Sequence, residues 1–330
     1  MDRDRRRWQC VAIFAVTVDR GARLHDDDGM DTVTSHQPRE GIDKVAIDGY
    51  AGELSSDHPG FNDPAYRARR AQIAALAESY RPGDPIPHAP YTDEEHAVWR
   101  LVCAELDVKH RRYASTETLE GKRRLGLPAD RVPQLDQVNA LLTPLTGFRY
   151  EPVPGLVGPD DFYGRLSDGV FMSTQYIRHA SAPRYTPEPD VIHEVIGHGL
   201  KMAADGYARL YRSFGAATRR CHDPEAVRFL SRVFWFTMEF GVHWEGDELK
   251  CYGAGLLSSF GEIEHFRSVD VRPLDIPQMG TRGYDITRYQ DVLFAAHSFA
   301  HLEHELEALL EDYDDDTYAR LVAAASETQS

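Results

Sequence analysis

The stretch Thr186 to Leu200 reads TPEPDVIHEVIGHGL and holds His193, Glu194 and His198 inside an expected helix. Thr186 can cap that helix and Pro187 suits its first position. Pro189 still falls in the first turn, where backbone N–H groups have no helical partner. His193 and His198 are five residues apart. On a regular helix that spacing turns the rings by roughly 140° and separates them by about 7.5 Å along the axis. Gly197 lies between them and can loosen the last turn enough for the rings to converge. The zinc-protease pattern HExxH needs a histidine at position 197, so that motif fails by one residue.

Two histidines need a third ligand, and Phe234 to Gly241 offers one. It reads FWFTMEFG, with Glu239 as a lone carboxylate among aromatics. Such a carboxylate is costly to bury unless it is paired or bound to a cation. Two histidines and one carboxylate, with open positions opposite, are the donor set of non-heme iron(II) oxygenases. A competing reading pairs Glu239 with an arginine and leaves the histidines in the core. Another makes the chain a zinc hydrolase with Glu194 as general base. The histidine spacing and the aromatic setting of Glu239 oppose the hydrolase.

The 330 residues, 42% hydrophobic and 27% charged, suit a soluble protein of one large domain or two small ones. A net charge of -16 argues against nucleic acid and anionic membrane as partners. Cys10, Cys103, Cys221 and Cys251 are scattered and form no CxxC pair, which favours a reducing, cytoplasmic location. The apolar run Trp8 to Val18 is interrupted, lacks a signal-peptide cleavage site and is too short to span a membrane. Residues 1–29 read as an upstream extension before Met30, and residues 1–55 are expected to be disordered.

Helices are expected after Asp63, with Ile73, Leu76 and Ala77 on one face, and after Thr92, with Val98, Leu101, Val102 and Leu106 buried. Another short helix spans Gln134 to Leu142, and Thr146 to Ser173 reads as short strands and turns. Asp205 and Asp223 are placed to cap two more helices, and His301 to Glu311 forms a third. Leu249 to Tyr252 reads as a strand and Gly253-Ala254-Gly255 as a tight bend. Ser258 can bond a ligating histidine, and Arg178 can bind an anionic substrate group.

Six blocks carry a resemblance. They are HPGFNDPAYRARR from His58, PIPHAPYTDEE from Pro85, LTGFRYEPVPGL from Leu145, TQYIRHASAPRYTPEPDVIHEVIGH from Thr174, FWFTMEFG from Phe234 and YGAGLLSSFGE from Tyr252. In this order they resemble the pterin-dependent aromatic amino acid hydroxylases over residues 58–300. The resemblance implies a mainly α fold with minor β-structure (α+β) around an iron pocket, with the catalytic domain over 56–312 and a C-terminal tail over 313–330. It implies Fe(2+) on His193, His198 and Glu239, and a tetrahydropterin beside Gly155, Leu156, Val157, Phe162, Glu194 and Phe234. Arg178 matches the arginine for the substrate carboxylate, with Thr186 and Ser258 nearby. Trp235, Phe240 and Pro189 match the walls of the aromatic slot.

By the same resemblance, Trp235 and the apolar Ile286 match the phenylalanine enzymes and favour phenylalanine, converted with O2 to tyrosine, over tyrosine or tryptophan. Met172 stands where many relatives have histidine, Phe234 replaces a tyrosine, and Arg111 to Leu127 matches poorly. These departures leave para and meta hydroxylation both in play. A monomer is expected, since no regulatory domain or tetramerisation tail of the animal enzymes is recognisable.

Overall fold

The computed structural model describes Leu54 and residues 58–286 and 288–328. The disorder expected of residues 1–55 therefore lies, Leu54 apart, outside the described residues. Helices dominate and strands are few and short, the mainly α architecture expected. Asp63 starts the first helix among the described residues, Pro64–Glu78, by accepting the N–H groups of Ala65 and Tyr66 through Oδ1. Thr92 starts Asp93–Tyr113 through a reciprocal capping box with Glu95. On that helix Val98, Val102 and Leu106 are buried, but Leu101 is 37% exposed and lies off the buried stripe.

Two small sheets frame the core. β1 (Arg149–Pro152) and β2 (Val170–Ser173) pair in parallel, joined across the helix Pro159–Ser167. That helix was missed in a stretch read as strands and turns. Its signals are Pro159 at the first position, Asp160 and Asp161 in the first turn, and Phe162, Tyr163 and Leu166 on the buried side. The second sheet has four strands, two in a hairpin and two flanking in parallel. β3 (Val242–Glu245) and β4 (Glu248–Cys251) form a hairpin, while β6 (Val292–Ala296) runs parallel to β3 and to β5 (Asp270–Pro273).

Three more expectations are corrected. Thr186 does not cap the helix of the histidines. Pro187 and Pro189 disfavour helical backbone at the residues before them, and the helix begins at Val191 behind Asp190, whose Oδ1 accepts the His193 N–H at 3.1 Å. Thr186 instead turns locally, donating its hydroxyl to the Glu188 carbonyl. Asp205 is the first residue of the helix Asp205–Thr218, with Ala204 as its cap. Gly253-Ala254-Gly255 opens the helix Ala254–Ser258 rather than a bend.

The segment after residue 312, set apart as a tail, is built into the body. Tyr313 is buried, stacks on Phe229 and donates to the Ala226 carbonyl. The helix Asp315–Thr328 follows, and Asp315 accepts the N–H groups of His222 and Asp223. This buttress lies on the helix Pro224–Phe234, which leads into Glu239.

Candidate metal centre and substrate site

Both segments that carry the expected ligands are π-helical, His193–His198 and Trp235–Glu239. In a π-turn the bonds run from residue i to i+5, so residues five apart stack instead of diverging. The Gly199 N–H accordingly reaches the Glu194 carbonyl, and the Phe240 N–H reaches the Trp235 carbonyl. The whole turn is widened, not only its last residue, and the histidine spacing that defeats a regular helix becomes the right one. Gly197 has a different task from the loosening expected of it. A Cβ there would stand 2.8 Å from the Ala254 carbonyl oxygen, so its absence lets the helix Ala254–Ser258 lie against the π-turn. Gly253 serves likewise against the Glu239 backbone, where a Cβ would meet the carbonyl oxygen at 2.2 Å.

That contact delivers Ser258 to His193. Ser258 Oγ donates to the Ala254 carbonyl at 2.8 Å and lies 2.9 Å from His193 Nδ1. The carbonyl can only accept, so Oγ accepts the Nδ1 proton, and the neutral ring presents a lone pair at Nε2. His198 Nδ1 is held by the Tyr211 hydroxyl at 2.7 Å. The two Nε2 atoms lie 3.0 Å apart. Glu239 brings Oε1 to 3.2 Å from His198 Nε2 and Oε2 to 3.8 Å from His193 Nε2.

All three side chains are fully buried, and neither Glu239 oxygen has a hydrogen-bond partner. Three acceptors converging on one point in a dry interior require a positive charge between them. Metal bonds of about 2.1 Å at right angles would set their ligand atoms about 3 Å apart, which matches the nitrogen separation. The donor set fits iron. The arginine partner considered for Glu239 is absent among the described residues' ion pairs with it.

Glu194 also brings a carboxylate oxygen within 4.8 Å of the two histidine nitrogens. Glu239 is the better ligand because its two oxygens face both Nε2 atoms. Burial, and then the charges of Glu239 and Asp190, push the Glu194 carboxyl far above its ordinary range, and its Oε2 has no partner. Burial and then His198 hold His193 neutral, down to about 3. Lys201, unread in the sequence, is fully buried beside this centre, donates to the Met238 carbonyl and is brought by burial down to about 7.

Arg178 is tied to the same turn. Asp190 accepts Arg178 Nε and Nη2 at 2.9 Å each, and its Oδ1 also caps His193. One buried aspartate thus fixes both the guanidinium plane and the turn of the two histidines, a role sequence reading missed although Asp190 directly precedes the apolar run. Trp235 and Phe240 pack on each other at 4.5 Å, and Tyr284 stacks on Trp235 at 4.0 Å. Gln290 accepts the Trp235 indole N–H at 3.0 Å and donates its own N–H to Glu262. Neither Tyr284, Gln290 nor Glu262 had a local signal.

The other expected residues divide by exposure. Gly155, Leu156 and Val157 form a half-buried strap after β1, and Met172 and Ile286 are half-buried as well. Phe162 and Phe234 are fully buried in an aromatic cluster with Phe171 and Tyr211, whose rings pack on His198. Pro189 and Thr186 are buried in the loop ahead of Asp190.

Comparison with known proteins gives the family of the chain. Residues 40–319 match the model of the family described as biopterin-dependent aromatic amino acid hydroxylase. The chain is 45% identical over 273 residues to a phenylalanine 3-hydroxylase of Streptomyces coeruleorubidus, covering 83% of this chain and 98% of that one. It is 41% identical to the phenylalanine-4-hydroxylase of Rattus norvegicus, covering 86% of this chain and 65% of the rat enzyme's length. A solved phenylalanine hydroxylase of Chromobacterium violaceum, with bound iron(III) and oxidised 7,8-dihydrobiopterin, superposes with a TM-score of 0.65. Its sequence identity is 29%, over 71% of this chain and 84% of that one.

Proposed function

The chain belongs to the biopterin-dependent aromatic amino acid hydroxylases, and from that premise we propose that it hydroxylates the ring of L-phenylalanine. Iron and a tetrahydropterin are its cofactors. Bound together, they supply the electrons that activate O2. His193, His198 and Glu239 hold the iron, and Ser258 and Tyr211 fix the two imidazoles so that only Nε2 faces it. Gly155, Leu156, Val157, Phe162, Glu194 and Phe234 serve the pterin side.

The observation that carries the substrate reading is the Arg178–Asp190–His193 connection. An amino acid whose carboxylate docks on Arg178 is thereby referenced to the metal ligand itself, which fixes the distance from carboxylate to reacting ring. Trp235 and Phe240, with Pro189, Thr186 and Ile286, supply an apolar surface for the ring. Ile286 offers no partner for a substrate hydroxyl, which favours phenylalanine over tyrosine.

The para carbon is the first reading of the product position. The meta carbon is the second, favoured by the 45% identity to the Streptomyces 3-hydroxylase over nearly its whole length. The test supplies Fe(II), tetrahydropterin and air, with phenylalanine, tyrosine and tryptophan in competition, and resolves products by chromatography and mass spectrometry. Phenylalanine consumption is expected. Para-tyrosine upholds the first reading, meta-tyrosine the second, and 5-hydroxytryptophan or dihydroxyphenylalanine as main product overturns the substrate assignment.

A further inference from the structure

A second set of metal-ligating side chains meets on the rim of the fold. Glu117 lies in the first turn of the helix Thr116–Leu125, and His243 and Glu245, two apart on β3, share a face of the strand. His243 Nε2 stands 3.5 Å from Glu117 Oε2 and 3.9 Å from Glu245 Oε1. One donor atom from each residue lies within 4.8 Å of the other two. The His243 side chain is 1% exposed, and its Nδ1 lies 3.3 Å from the Trp244 carbonyl. That carbonyl can only accept, so Nδ1 carries a proton and Nε2 is the ring atom that faces the two carboxylates. Both Nε2 and Glu117 Oε2 are buried without a hydrogen-bond partner.

Acceptors so arranged need a positive charge, either a proton on Nε2 or a cation. Two features favour the cation. The 3.5 and 3.9 Å separations exceed a hydrogen bond, whereas ligands bound at about 2.1 Å in tetrahedral geometry lie about 3.4 Å apart. A proton would also leave one uncompensated negative charge on the two carboxylates, and a divalent ion leaves none. Glu245 is set in place beforehand, since Thr116 donates its N–H and its hydroxyl to the two carboxylate oxygens at 2.6 and 2.8 Å. Each oxygen keeps a further lone pair. The glutamates are 31% and 26% exposed, which gives an ion a route in from solvent.

We propose that Glu117, His243 and Glu245 form a second divalent-cation site, of the kind that takes Zn(2+) or Co(2+), distinct from the iron centre. One imidazole and two carboxylates suit these ions. The site staples the helix Thr116–Leu125 to β3. That helix packs through Gly121 on the Leu200 backbone, just past His198, and β3 begins just past Glu239. The ion therefore braces the frame of the iron ligands from outside without touching them.

The test strips the full chain of metal, dialyses it against Co(II) and counts cobalt by mass spectrometry. Two ions per chain are expected, one after Glu239→Ala and one after His243→Ala. Glu117→Gln, at a partly exposed position, should repeat the loss if circular dichroism shows His243→Ala to be misfolded. In the Glu239→Ala background, Zn(II) should raise the melting temperature, and adding Glu117→Gln should remove the rise. One ion in the wild type that Glu239→Ala removes, or two retained in both rim variants, overturns the proposal in favour of a protonated His243. No ion in Glu239→Ala overturns it as well. Loss of the Glu239-dependent ion alone would instead strike at the iron assignment.

Discussion

The interior and rim clusters use the same chemistry, histidine and glutamate, in opposite surroundings. At the centre every proposed ligand is fully buried, so each polar atom must be served by the protein or by a bound cation. Ser258 and Tyr211 serve the Nδ1 atoms, Asp190 caps the turn, and glycines at 197 and 253 let the serving elements approach. At the rim the two glutamates are partly exposed, and only His243 is fully enclosed. Burial thus decides how many residues must be right at once. The inner site recruits much of the fold, and the outer one needs a strand, a helix start and a backbone carbonyl.

The sharpest test of this contrast is Glu239→Ala against His243→Ala. The first should abolish iron binding and turnover, read as iron content and product. The second should keep iron and hydroxylation, and a loss of turnover with iron retained would merge the two sites into one. Next in size, Arg178→Ala should lower kcat/KM for phenylalanine by roughly tenfold to a hundredfold, the scale of a lost charged hydrogen bond, chiefly through KM and with iron content unchanged. Iron loss in that variant would mean that Asp190 depends on Arg178 to hold the π-turn. Tyr211→Phe should weaken iron affinity about tenfold by freeing the His198 ring, measured by competition with a chelator.

The smallest effect expected is a pH-dependent one at Glu262. Burial raises its carboxyl to about 8, against a lesser pull from the Gln290 N–H. Unfolded, it titrates near the ordinary 4.5. The folded chain therefore holds one more proton between these values, and this group's stability contribution falls as pH rises through that window. Glu262→Gln removes the titration. Its melting temperature relative to the wild type should climb between pH 5 and 8 by a few degrees, on the order of 2 kcal/mol. A difference that stays flat with pH would show that Glu262 is ionised in the folded state.

The inner site was largely legible in sequence because burial leaves chemical traces. Glu239 stands alone among aromatics, the histidines flank a glycine, and Ser258 lies in a block of small residues. What the sequence hid was geometry. The π-turns follow no simple pattern of residue types, so a five-residue histidine spacing looked unfavourable until the backbone was seen. Tyr211 and Gln290 approach from distant helix and loop positions with no local mark. The Thr186 cap does not form because each proline disfavours helical backbone at the residue before it, so the helix waits until Val191. Glu117 and His243 come together only through the packing of a helix start on a strand.

X-ray absorption at the iron edge of the Fe(II)-loaded chain tests the central claim most directly. Two imidazole scatterers with oxygen ligands completing the shell are predicted, falling to one imidazole in His198→Ala. A wild-type shell with one imidazole, or with three, would contradict the assignment of His193, His198 and Glu239 as the protein ligands of the iron.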